Sequence, residues 1–130
     1  MRILAIDDEK DTLDFLREVL SQAGHEVSTA ATAGEAMVYI QLTRFDAVLL
    51  DLMMPGLDGH QFQKWMREHW DVSDTPVVVI SCLTDAQNKQ QARIDGCFDY
   101  LEKPFQTRRL FEILDRLERG QTQGAGLEAI

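Results

Sequence analysis

Residues 47–59 read Ala47-Val48-Leu49-Leu50-Asp51-Leu52-Met53-Met54-Pro55-Gly56-Leu57-Asp58-Gly59. Four consecutive apolar residues bounded by turn signals predict a strand covered on both faces, as in a parallel sheet, rather than the alternating strand of a half-exposed one. The run stops at an acid. Pro55, Gly56 and Gly59 then supply turn chemistry, and a helical pattern from about His60 to His69 places Phe62, Trp65 and Met66 at core spacing. Buried strand, acidic strand end, loop and amphipathic helix together make one βα unit.

The same unit recurs on either side. Arg2 to Ile6 is a strand ending in Asp7-Asp8, followed by a helix from Lys10 to Ala23 with Leu13, Leu16, Val19, Leu20 and Ala23 on one face and Gly24 as its stop. A second strand at about Glu26 to Ala30 leads to a helix from Ala33 to Thr43 carrying Ala36, Met37, Ile40 and Tyr39. After Pro76, Val77 to Ile80 is another fully apolar strand, ending at Ser81. Its helix, about Asp85 to Asp95, is polar enough to depend on few anchors, namely Ala86, Ala92 and Ile94. Phe98 to Leu101 is a short fifth strand before Lys103-Pro104-Phe105, and a last helix from Thr107 to Arg119 turns Leu110, Ile113, Leu114 and Leu117 inward. Five βα units predict an α/β fold with a parallel sheet and helices on both faces. Residues 120–130 lack periodicity and read as a flexible tail or the start of a linker.

Composition narrows the function. The chain has 130 residues, 13 Lys+Arg and 22 Asp+Glu, for a net charge of −9. That length suits one domain with its own core, and the acidity disfavours binding to a nucleic-acid backbone. No apolar run approaches a membrane span and the acidic start is unlike a signal peptide, so a cytoplasmic location is expected. Cys82 and Cys97 have no metal-site spacing and read as reduced, buried thiols.

In an open parallel sheet ligands bind beyond the carboxyl ends of the strands. Those ends deliver Asp7 and Asp8, Asp51, Ser81 and Lys103. Taken singly, each has an ordinary reading, the Asp and Ser residues as helix caps and the Lys as solvated surface. Brought to one edge, they make a pocket of three carboxylates, a hydroxyl and an ammonium. Three clustered carboxylates repel and are relieved by a hard cation with oxygen ligands, Mg²⁺ or Mn²⁺. Lys103 and Ser81 suit the oxygens of an incoming phosphoryl group, with a carboxylate as nucleophile.

With these residues in place the chain resembles the receiver domain of two-component response regulators over about residues 1–119. The matching pieces are Ile6-Asp7-Asp8-Glu9, the segment Asp51 to Gly59, Ser81, and Gly96-Cys97-Phe98-Asp99-Tyr100-Leu101-Glu102-Lys103-Pro104-Phe105. The resemblance implies a flavodoxin-like doubly wound sheet of order 2-1-3-4-5. It implies Asp51 as phospho-acceptor, Asp7, Asp8, Asp51 and the Met53 carbonyl around Mg²⁺, Lys103 and Ser81 on the phosphoryl group, Tyr100 as an aromatic switch, and a cis Lys103-Pro104 bond. The implied donor is a sensor histidine kinase or a histidine phosphotransfer protein. The implied output is the face of helix four, strand five and helix five, including Leu83, Gln87, Gln91, Tyr100, Phe105, Arg108 and Arg109, read by an effector domain, a downstream protein or a second copy. Phe15 lies off the centre of its helix stripe and, with Asp11, Thr12 and Phe105, would suit docking of the donor; an edge-of-core Phe is the alternative.

Other classes fit less well. A flavin-binding fold needs a hydroxyl- and Gly-rich loop after strand one, where Asp7-Asp8-Glu9 stands. An aspartyl-phosphate phosphatase would carry Asp-x-Asp with its nucleophile after the first strand. A pseudo-receiver acting as a phosphate-independent interaction module would not need the full acidic set with Lys103.

Overall fold

A computed structural model describes residues 1–54, 57–69, 74–83 and 85–120. The Pro55-Gly56 turn and the tail after Gly120 lie outside the described residues. Five parallel strands, β1 (Arg2–Ile6), β2 (Glu26–Ala30), β3 (Ala47–Leu50), β4 (Val77–Ser81) and β5 (Asp99–Glu102), form one sheet in the order β2-β1-β3-β4-β5. Helices α1 (Lys10–Gln22), α2 (Ala33–Leu42), α3 (Gly59–Glu68), α4 (Ala86–Ile94) and α5 (Thr107–Glu118) cover it. The doubly wound α/β fold is thus observed.

Alternation along the strands divides the core in two, because successive side chains leave a strand on opposite faces. Leu4, Ile6, Val48, Leu50, Val77 and Val79 pack with Ala36, Ile40, Phe62, Met66 and Ala92 from α2, α3 and α4. Ile3, Ala5, Ala47, Leu49, Val78 and Ile80 pack with Leu13, Leu16, Leu20, Leu110, Ile113 and Leu114 from α1 and α5. Burying each large apolar side chain contributes about 1.5–3 kcal/mol, so the strands most central to the sheet, which read as continuous apolar runs, fix the fold.

Helix starts follow local chemistry. Thr32 Oγ1 accepts from Glu35 N at 3.1 Å, Asp58 Oδ1 from His60 N at 2.9 Å, and Asp85 Oδ2 from Asn88 N at 3.3 Å. These satisfy amide groups the helices leave unpaired. Gly24, with φ of +91°, follows α1 as its stop.

Five expectations are corrected. Ala23, expected on the core face of α1, is exposed, because the helix ends at Gln22 and Ala23 is its C-cap. Met53–Met54 and Leu57–Asp58 pair as a two-residue antiparallel hairpin where the sequence suggests only a loop. On α4 only Ala92 is buried; Ala86 is exposed and Ile94 is 58% exposed. At about 100° per residue, Ile94 lies roughly opposite Ala92 and cannot share its face. Tyr39 stays partly exposed, its ring edge on Phe45 at 6.5 Å. Cys97 is buried but Cys82 is exposed, because it stands one residue past the end of β4.

Gly59 opens α3 against the backbone of Leu52. A Cβ there would lie 2.4 Å from Leu52 Cα and 2.8 Å from its carbonyl oxygen, and neither atom belongs to a flexible side chain. Gly59→Ala is therefore expected to cost about 1–3 kcal/mol, the usual range for overpacking, read as a lower urea midpoint at unchanged slope; an unchanged midpoint contradicts the contact.

Candidate functional site at the carboxyl edge of the sheet

Register sets the site. Ile6 pairs with Leu50 and Leu50 with Val79, so β1 and β3 end level and β4 runs two residues further. Asp7 and Asp51 are the next residues of their strands, tied back by Asp51 N to Ile6 O at 3.0 Å. Ser81 pairs with Glu102, and Lys103 N donates to Ser81 O at 2.9 Å, which directs the Lys103 side chain from the neighbouring strand.

At this edge the Lys103 ammonium joins two strands. Its Nζ donates to Asp7 Oδ2 at 2.7 Å and to Asp51 Oδ2 at 3.1 Å, with Glu9 Oε1 at 3.8 Å. Asp7 and Asp51 are 3% and 4% exposed, and buried carboxylates need partners. Each has a second one: Asp7 Oδ1 accepts from Glu9 N at 2.9 Å, and Asp51 Oδ1 from Met53 N at 3.0 Å. Burial alone would push the Lys103 ammonium down, but its bonds to Asp7 and Asp51 and their charges outweigh it, and the group is held above its ordinary value. As a base raised in the folded state, Lys103 contributes its stabilisation throughout the neutral range and loses it only as pH climbs through that raised value.

The carboxylates also suit a metal. Asp7, Asp8 and Asp51 each present an oxygen within 4.8 Å of the others, with Asp8 on the exposed side. One ammonium does not balance three carboxylates and Glu9. The donors are hard oxygens without thiolate or imidazole, which fits Mg²⁺ rather than zinc. Met53, a residue half exposed at the rim, carries the backbone carbonyl that the resemblance implies as a further oxygen for the ion.

Ser81 is fully buried at the end of β4, its Oγ accepting from Leu83 N at 3.2 Å. The hydroxyl of Tyr100 donates to the carbonyl of the same Leu83. Burial, above all, pushes the Tyr100 phenol up to about 12, so it remains a donor. Leu83 thus links Ser81 to Tyr100, a backbone connection for which residue type gives no signal. Tyr100 lies beneath the expected output face, not on it, being 4% exposed. Over it lies Lys89, with Nζ 5.9 Å from the ring centroid and an ion pair to Glu102. The Lys103-Pro104 bond is cis.

Elsewhere, Phe15 is 44% exposed and meets Phe105 edge to face at 6.3 Å, with Asp11 exposed on the same helix. Sequence reasoning did not find Asp99. It is fully buried and accepts from Arg116 at 2.6 Å and Arg109 at 3.4 Å, anchoring α5 to β5.

The family model described as response regulator receiver domain matches residues 3–115. Among curated relatives, Response regulator MprA of Mycolicibacterium vanbaalenii is 38% identical over 132 residues, covering 99% of this chain and 56% of its own. Regulatory protein VanRB of Enterococcus faecalis is 31% identical over 119 residues, covering 92% and 53%. The chain thus spans about half the length of these relatives. Among solved structures, the receiver domain of the Francisella response regulator 1452 superposes with a TM-score of 0.83 at 30% identity, covering 92% of this chain and 98% of that one.

If the carboxylates are balanced only in part by Lys103, Mg²⁺ raises the melting temperature. At a hundredfold excess over its dissociation constant the gain is about 2.7 kcal/mol. Asp8→Asn is expected to leave the metal-free protein at least as stable while weakening Mg²⁺ by about tenfold or more, measured by thermal melts at graded Mg²⁺; an undiminished response in this variant contradicts the assignment.

Proposed function

The chain belongs to the response regulator receiver domain family, and from that premise we propose that it is a phosphorylation-dependent switch of a two-component system, with Asp51 as the acceptor. The observation carrying this reading is the Lys103 ammonium seated between the Asp7 and Asp51 carboxylates at the ends of adjacent strands. An Asp51 oxygen attacks the phosphorus of a phosphohistidine on a sensor histidine kinase or histidine phosphotransfer protein. The P–O bond forms as the P–N bond breaks, and the imidazole leaves with the electron pair. Phosphoryl transfer depends on positioning and charge neutralisation. Lys103 moves from the Asp51 oxygen to the phosphoryl oxygens without leaving the pocket, and Ser81 offers its hydroxyl to another. Bound Mg²⁺ or Mn²⁺, held by Asp7, Asp8, Asp51 and the Met53 carbonyl, would neutralise phosphoryl charge.

The product adds about −1.5 to −2 charge. Ser81 is one bond from Leu83, and Leu83 one bond from Tyr100, so drawing Ser81 toward the phosphoryl group changes what holds the β4–α4 segment. The output is then a changed α4–β5–α5 face, with Leu83, Gln87, Gln91, Phe105, Arg108 and Arg109, offered to an effector domain, a downstream protein or a second copy. Residues 1–119 form the receiver unit in this reading, and 120–130 a tail or linker.

Mass spectrometry after acetyl phosphate and Mg²⁺ tests the chemistry. One phosphoryl adduct is expected in the wild type and none in Asp51→Asn; absence of an adduct in both favours the phosphate-independent module. The partly exposed Phe15–Phe105 pair is the proposed donor-docking surface. Phe15→Ala is expected to slow transfer from a cognate phosphohistidine protein about tenfold, the scale of one lost interface anchor, with acetyl phosphate labelling unchanged; equal slowing of both reactions contradicts docking.

A further inference from the structure

The seam between α3 and α4 carries buried polar groups apart from those at the carboxyl edge of the sheet and at Asp99. Gln63, 1% exposed, donates Nε2–H to Ala92 O at 2.8 Å, and Arg67 donates to Ile94 O at 2.5 Å. In the same seam, His60 Nε2 lies 2.9 Å from Asn88 Oδ1. Both buried side-chain atoms without a hydrogen-bond partner among the described residues, His60 Nδ1 and Gln63 Oε1, belong to this seam.

The tautomer of His60 can be fixed from its neighbours. Asn88 Nδ2 lies 2.6 Å from Asp85 Oδ1, and a carboxylate only accepts, so the amide NH₂ must face Asp85. The Asn88 carbonyl oxygen therefore faces His60, and Nε2 must carry a proton to donate to it. In the neutral ring Nδ1 is then a bare lone pair. It faces Asp95 Oδ2 at 3.9 Å, so two acceptors oppose each other with no proton between them. Asp95, 6% exposed, is the C-cap of α4 and has Gln91 Nε2 on the same oxygen at 3.2 Å.

We infer that protonation of His60 closes this seam into a strut, with Nδ1–H donating to Asp95 while Nε2–H keeps its bond to Asn88, so that one imidazole ties α3 to both ends of α4. Asn88 lies in the first turn of α4 and Asp95 at its end. The other charged groups of the seam do not substitute for this bond. Asp58 caps the helix of His60 and accepts its backbone N–H, and Asp85 is engaged by Asn88. Arg67 bonds the Ile94 carbonyl and Lys89 pairs with Glu102. Lys64 and Arg93 are exposed. The helix tied down has a single buried apolar residue, Ala92, so polar contacts carry most of its attachment. Any bearing on signalling rests on the reading of α4 as part of the output face; the strut itself does not.

The test compares α4 amide hydrogen-exchange protection factors along a pH series in which nitrogen NMR of the imidazole registers the neutral and the charged ring. In the wild type, protection of α4 is expected to rise about tenfold on acidification, the scale of one charge-assisted hydrogen bond. The neutral ring should carry its proton on Nε2. His60→Gln and Asp95→Asn should both lose the pH-dependent rise. A neutral ring protonated on Nδ1, a wild-type α4 indifferent to pH, or a rise that persists in either variant overturns the inference. Because phosphorylation is not used, its failure is separable from failure of the Asp51 chemistry.

Discussion

The bond pair from Lys103 Nζ to Asp7 and Asp51 is the interaction on which the rest of the structure turns. Two carboxylates almost wholly removed from water cannot sit on neighbouring strands without a cation between them. The sheet register places them side by side, and the ammonium reaches them from the end of β5, two strands out from β3. Had β1 and β3 been offset by one residue, Asp7 and Asp51 would have pointed to different levels and Lys103 could not have bridged them. The fold and the site are therefore one problem: the apolar strands fix the register, and the register fixes the charges.

Hydrogen bonds to backbone atoms connect this edge to the segment before α4. Ser81 bonds Leu83 N, Tyr100 bonds Leu83 O, and Leu83 leads into α4, the helix with the smallest apolar stake in the core. An element held chiefly by polar contacts can be re-seated by exchanging a few hydrogen bonds, which apolar packing does not permit without loss of burial. By contrast α5 is clamped by three buried apolar residues and by Asp99, whose carboxylate holds Arg109 and Arg116. The contrast is between a helix anchored by apolar burial and a buried carboxylate, α5, and one with a single buried apolar residue, α4.

Much of this was legible in the sequence, for a physical reason. Val77 to Ile80 and Ala47 to Leu50 are short, β-branched-rich or apolar runs bounded by turn signals, as buried strands are, and a parallel sheet then carries Asp7, Asp51, Ser81 and Lys103 to one edge. What stayed hidden depends on tertiary neighbours. Ile94 looked like an anchor by composition but lies across the helix from Ala92. Cys82 looked buried by type but stands past the strand end. The Met53–Met54 hairpin is too short for a period to show, and the role of Leu83 is carried by its amide and carbonyl, which every residue but proline has. The His60–Asn88–Asp85 chain joins two helices and has no local signature.

The central claim is that the state of Asp51 is coupled through Ser81 and Leu83 to Tyr100 and α4. Beryllofluoride with Mg²⁺ imitates the shape and charge of a phosphoryl group on a carboxylate and is a direct probe of this coupling. Backbone amide chemical shifts recorded before and after its addition should move at Asp51 and Lys103 and also at Leu83, along α4 and at Tyr100. Shifts confined to the carboxylate edge, with α4 and Tyr100 unmoved, would contradict the coupling.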